Sequence, residues 1–189
     1  MKNINYDEIE KKYKKIIDIA KKYMSSIEDY EHDINHMNDV IFYTKELISK
    51  LNIECNYDTL IISAYWHDVG RIKKNDGHEK ISAEMLKKTM EKNKYDNKMI
   101  KDCYKAIENH RWNMSPETIE GLIIKDADKL AWLGIGRWKS CLKNKQKLDE
   151  LVELLPRLKN EFLYFEESKL IYERDVLKLI KLLYKNCYN

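Results

Sequence analysis

Few residue types in this chain can do chemistry, and they fall in an ordered set. Five histidines, His32, His36, His67, His78 and His110, are spread over 189 residues. At least four of them sit at helix ends or on helical faces that otherwise read as apolar. A buried imidazole needs partners for its ring nitrogens, and a buried carboxylate needs a cation or donors. Such groups on separate helices satisfy one another by converging on a metal. His36, His67, Asp68 and Asp128 offer two imidazoles and two carboxylates, a mix that suits Mn, Fe, Co, Ni or Zn. Taken singly, His36 reads as a satisfied core histidine, and a His-Asp pair arises often by chance. Adjacent helical residues point about 100° apart, so His67 and Asp68 share an ion most easily in a last helical turn. Gly70 marks that turn as a C-terminal cap.

The elements that must position these residues read as helices almost throughout. Ile9, Tyr13, Ile16, Ala20 and Tyr23 give one amphipathic helix over residues 6–24. Ile34, Met37, Ile41, Thr44, Ile48 and Leu51 make one stripe, and His36, Val40, Tyr43 and Leu47 make an adjacent one, a wide inward face. Over 57–68 the same doubling carries Leu60, Ala64, His67 and Ile61, Tyr65, Asp68. Residues 71–77 are a polar loop, and helices follow from His78 to Met90 and from Asp96 to His110. Ser115-Pro116-Glu117 has the form of a helix start. That helix carries Ile124, Asp128 and Ala131 on one line. A helix interrupted near Pro156 and a final one with Leu170, Leu177, Ile180 and Tyr184 complete the chain. The expectation is an all-α single domain over 1–189, a bundle of seven to nine helices. A motif-bearing core spans about 30–140, with C-terminal helices 145–189 packing on it.

His36, then Trp66-His67-Asp68-Val69-Gly70, then Asp126-Ala127-Asp128-Lys129-Leu130 resemble the H…HD…D signature of the HD superfamily of metal-dependent phosphohydrolases. His32-Asp33, His78-Glu79 and Asn109-His110-Arg111 agree with it. The stretch 125–138 resembles small stand-alone bacterial HD hydrolases. The resemblance implies that His36, His67, Asp68 and Asp128 bind a divalent ion, with Mg also in the set. It implies that His78 and His110 bind a second ion or contact the substrate phosphate. One ion with two phosphate-facing histidines is the first choice, and Asp68 is able to bridge two. The HDxxED, HDxxE and GYP variants of the signature are missing, which weighs against the substrates that go with them.

The implied function is hydrolysis of a phosphate ester or anhydride of a small phosphorylated metabolite, a nucleotide, by metal-activated water. Asp68 or Asp128 orients the water. Arg71, Lys129 and Arg137 are the candidate cations for the charge that spreads over the phosphoryl oxygens. His78 or His110, if protonated, serves the leaving oxygen. The alternative is a non-catalytic HD module that retains metal and binds a nucleotide or a partner. His32 is a supporting or exposed residue. Asp126 lies on another helical face from Asp128 and is expected to cap or pair. Trp66, Trp112, Trp132 and Trp138 crowd the motif segments, as core packing or as a wall for a nucleobase.

Composition narrows the partners. Lys+Arg 35 against Asp+Glu 32 leaves a net charge of +3, which weighs against nucleic acid. No apolar run approaches the roughly 18 residues of a membrane span, and Met1 to Ile9 lacks a signal-peptide core. Cys55, Cys103, Cys141 and Cys187 form no CxxC pair, which fits reduced thiols in a cytoplasm. Gly134-x-Gly136 lacks a third glycine and a preceding strand, so it is no dinucleotide fingerprint.

Overall fold

The computed structural model describes residues 4–29, 31–134, 138, 149 and 153–187. Among these all regular structure is helical, in the order α1 Tyr6–Lys12, α2 Lys14–Met24, α3 Ile34–Lys50, α4 Tyr57–Trp66, α5 His78–Lys92, α6 Asn97–Ile107, α7 Ile119–Leu130 and α8 Glu166–Cys187. Tight 3-10 turns follow α4 (Val69–Ile72) and α7 (Ala131–Leu133), and a π-helical turn spans Leu158–Phe162. No helix among the described residues is long and apolar enough to cross a membrane.

The doubled apolar pattern of α4 has a direct outcome. Every residue from Thr59 to Trp66 is buried, as expected of a helix apolar on all sides. It forms the axis of the bundle and packs against α2, α3, α6 and α7. The Trp66 indole donates to the Ile16 carbonyl at 3.1 Å, tying α4 to α2. α3 lies along α7, and α5 lies along α6 and the 3-10 turn after α4. α8 packs on α3 and α7. The Tyr43 hydroxyl reaches Asp175 at 3.2 Å, and Arg174 of α8 pairs with Glu46 of α3.

Four local expectations are corrected. The helix over 6–24 breaks at Tyr13, whose hydroxyl donates to Asp58 at 2.6 Å across to α4. The helix after Pro116 starts later, at Ile119, where the Thr118 hydroxyl accepts from the Gly121 N–H at 3.1 Å. In α8 the line Leu170, Leu177, Ile180 and Tyr184 is exposed, and Ile171, Tyr172, Asp175 and Leu179 face inward instead. Gly70 is no left-handed cap: among the described residues Gly77 is the glycine with positive φ, +74°. Gly70 lies where α5 crosses the 3-10 turn, and its N–H donates to the Ser82 hydroxyl at 2.8 Å. A Cβ there would meet the His78 carbonyl oxygen at 2.3 Å and the Ser82 nitrogen at 2.7 Å.

Those obstacles are backbone atoms, which cannot rotate aside. Gly70→Ala is therefore expected to cost about 3 kcal/mol through overpacking, roughly 6–12 °C in Tm for a domain of this size. Gly77→Asn, in open space and in a conformation that Asn tolerates, is expected to cost less than about 1 kcal/mol. Thermal melts of the two variants check the contrast; equal losses would refute the close-approach role of Gly70.

Candidate metal centre

Five helices each deliver a corner of the site. Asp33 caps α3 by accepting from the N–H groups of Asn35 at 2.8 Å and His36 at 3.1 Å, which sets His36 in the first turn. His67 and Asp68 follow the last turn of α4, and Arg71 lies in the 3-10 turn beyond. His78 is the first residue of α5. His110 follows α6, while Asp128 and Lys129 close α7.

These side chains converge on Asp68, which is 1% exposed. One carboxylate oxygen, Oδ2, lies 3.6 Å from His36 Nε2, 3.7 Å from His67 Nε2 and 2.8 Å from Arg71 Nε. The other, Oδ1, lies 2.9 Å from His78 Nε2 and 3.5 Å from His110 Nε2. The ligand atoms of His36, His67 and Asp68 form one tight group, and those of Asp68, His78 and His110 form another. Asp128 belongs to neither group. Its Oδ1 lies 3.1 Å from His36 Nε2, and its Oδ2 accepts from Lys129 Nζ at 2.5 Å.

The ring orientations say what these atoms can bind. His67 Nδ1 lies 2.8 Å from the Ala64 carbonyl, His78 Nδ1 2.7 Å from that of Asn75, and His110 Nδ1 2.8 Å from that of Ile107. A carbonyl only accepts, so each Nδ1 carries the hydrogen. In the neutral ring Nε2 is then a lone pair, and all three lone pairs face Asp68. Lone pairs do not attract a carboxylate; a cation between them attracts both. His67 Nε2, His78 Nε2 and Asp68 Oδ1 are buried without a hydrogen-bond partner, which is the state of groups shaped to hold metal. Burial pulls the His67 imidazole below its ordinary pKa, so the ring is neutral near pH 7. Burial by itself raises the Asp68 carboxyl, but the charge His67 takes on at acid pH and the Arg71 guanidinium outweigh it and hold the group well below its usual range. Burial of Asp128 is likewise outweighed, by Lys129 and His36.

A cavity of about 280 Å³ opens onto the cluster, lined by Arg71, His78, His110, Asp128 and Lys129 among others. The structure thus brings together His36, His67, Asp68, His78, His110, Asp128, Arg71 and Lys129. His32 lines the same cavity, its ring 5.7 Å from that of His36 and its Nδ1 2.9 Å from Asp29. Arg137, Gly136 and Cys141 lie outside the described residues. Glu79 is a further buried carboxylate, with Oε2 3.7 Å from His78 Nδ1, on the far side of the ring from Asp68. Asp126 is wholly buried and turned away from the cluster. It accepts from the N–H groups of Tyr164, at 2.9 Å and 3.0 Å to its two oxygens, and of Phe165 at 2.9 Å, just ahead of α8. Reading the sequence identified Asp126 as a capping or pairing residue without locating this partner.

The HD domain model matches residues 33–133, and the chain belongs to the HD domain family. HD domains hold divalent metals, and the histidine and aspartate groups described above are able to do so here. The fold is also that of a crystal structure described as a predicted HD superfamily hydrolase from an uncultured Thermotogales bacterium. The two share 21% identity over 96% of this chain and 97% of that one, with a TM-score of 0.71. No curated protein matches the chain. The family and the cluster together define an HD-domain protein whose buried histidines and aspartates are able to hold divalent metal.

Asp126 is expected to matter for folding. Asp126→Ala leaves the part-buried N–H groups of Tyr164 and Phe165 without this acceptor and is expected to cost about 1–2 kcal/mol, roughly 2–8 °C in Tm. A melt within about 1 °C of the unmodified chain would show that the clamp contributes little.

Proposed function

We propose that the chain hydrolyses a phosphate ester or anhydride bond of a small phosphorylated metabolite, a nucleotide. The carrying observation is the buried ring of Nε2 lone pairs around Asp68, opening onto a cavity lined by Arg71 and Lys129. Two triads on opposite oxygens of one carboxylate fit two divalent ions. His36, His67 and Asp68, with Asp128 beside His36, would hold one. Asp68, His78 and His110 would hold the other, since the Nε2 atoms of both histidines face Asp68 Oδ1. Such ions supply Lewis-acid charge and a water made acidic enough to attack near neutral pH.

The chain's own groups do the remaining work. Asp68 and Asp128 are ionised and accept hydrogen bonds, so they orient a water. Arg71 and Lys129 are fixed cations, each already tied to one of those carboxylates. Charges held in place before the reaction stabilise the spreading phosphoryl charge without reorganisation. The proposed setting is the cytoplasm, in keeping with the free thiol of Cys103.

Metal analysis of protein reconstituted with Mn²⁺ is expected to give two ions per chain. His78→Ala is expected to give one. Asp68→Ala is expected to bind less than one and to lose at least about 100-fold in kcat toward nucleotides, the loss of a Lewis acid worth several kcal/mol. Full activity in Asp68→Ala would end this reading.

A further inference from the structure

A second cavity, of about 180 Å³, adjoins the one above the cluster. Its wall is mostly aromatic and aliphatic: Trp112, Trp132, Leu154, Leu158 and Phe162, with Arg157 at the edge. Trp112, Lys129 and Trp132 line both cavities. The two are therefore neighbouring rooms of one site, with the Lys129 ammonium at the doorway. Together they reach the size of an ordinary small-molecule pocket, roughly 300–1,000 Å³.

The chemistry of the two rooms differs. The first is a box of histidines, carboxylates and cations. The second has the Trp112 and Phe162 rings in edge-to-face contact, 5.6 Å apart at 76°. The Arg157 guanidinium lies 5.5 Å from the Phe162 ring and grips Glu161 through Nε and Nη2. That pair sets donors and acceptors at the rim of an apolar slot. Trp112 is 51% exposed, a large ring held at the surface beside an open hollow. The π-helical turn Leu158–Phe162 forms the outer wall, and such turns gather at functional sites.

We propose that the second cavity seats the nucleobase of a nucleotide whose phosphates enter the first. The phosphate side rests on the hydrolase reading above; the base side stands on its own residues. A flat heterocycle matches an aromatic slot with a polar rim, because its faces stack and its edges hydrogen-bond. The joining of the rooms at Lys129 places an anionic linker beside a cation. Trp112, Phe162 and Arg157 are then the residues that select the substrate. Hydrolysis itself falls to the cluster.

The test compares kcat and KM for the common nucleoside triphosphates with those for inorganic tripolyphosphate, which keeps the anhydride bonds and lacks a base. The unmodified chain is expected to favour at least one nucleotide by about 10-fold or more in kcat/KM, a typical worth of a base stacked on an aromatic side chain. Trp112→Ala, Phe162→Ala and the milder Phe162→Leu are expected to erase most of that preference through KM. Equal use of tripolyphosphate by the unmodified chain, or a preference untouched in all three variants, would overturn the proposal and leave the hydrolase reading standing. Tryptophan fluorescence with adenosine, guanosine, cytidine and uridine, free of phosphate and metal, separates the two ideas. Quenching by a nucleoside that weakens in Phe162→Leu supports the base pocket even where no nucleotide is hydrolysed. Absence of quenching by all four counts against it.

Discussion

A single buried carboxylate organises this molecule. Removing an ion of that size from water costs several kcal/mol even after the protein relaxes. Asp68 has one permanent cation in contact, Arg71, and imidazoles around the rest of it. Three of those rings are turned so that their protons point outward to backbone carbonyls. The interior is thus short of positive charge at the point where five helices meet. A divalent metal ion would meet that shortage.

Support for the site comes from backbone, which makes it stiff. Each Nδ1 bond runs to a carbonyl three residues back, so the ring cannot swing without breaking it. Stiff ligands lose little freedom on binding, which favours affinity and geometry together. The wholly buried α4 sets where His67 and Asp68 emerge. The bare Cα of Gly70 lets α5 come close enough for His78 to reach the same carboxylate. Packing and chemistry are here one arrangement, from residue type through helix contact to ligand position.

Much of this was legible in the sequence, and the remainder was not for identifiable reasons. The inward face of α3 and the all-round burial of α4 follow from helical periodicity. The convergence of His36, His67 and Asp68 follows from polar groups placed on apolar faces, in an order that resembles a family. The outward turn of the Nδ1 protons depends on backbone geometry, which periodicity does not encode. The break at Tyr13 depends on Asp58, 45 residues away. Gly70 looked like a terminator because a glycine after a helix most often is one; its role rests on how α5 crosses. In α8 apolar residues lie on both faces, so periodicity alone does not say that Ile171, Tyr172 and Leu179 turn inward together with Asp175, which is bonded to Tyr43. Arg157 and Phe162 carry no motif, and only their place beside Trp112 gives them interest.

The grip of Asp126 on Tyr164 and Phe165 has a mechanical corollary. Asp126 and Asp128 share one rigid rod, separated by a single residue. The strand of chain just past the π-helical turn hangs from the first, while the second borders the metal cluster. Phe162 and Asp128 are thus joined by two residues of chain, the hydrogen bond from the Tyr164 N–H to Asp126, and two residues of α7. The segment ahead of α8 is thereby fastened to the helix that carries Asp128.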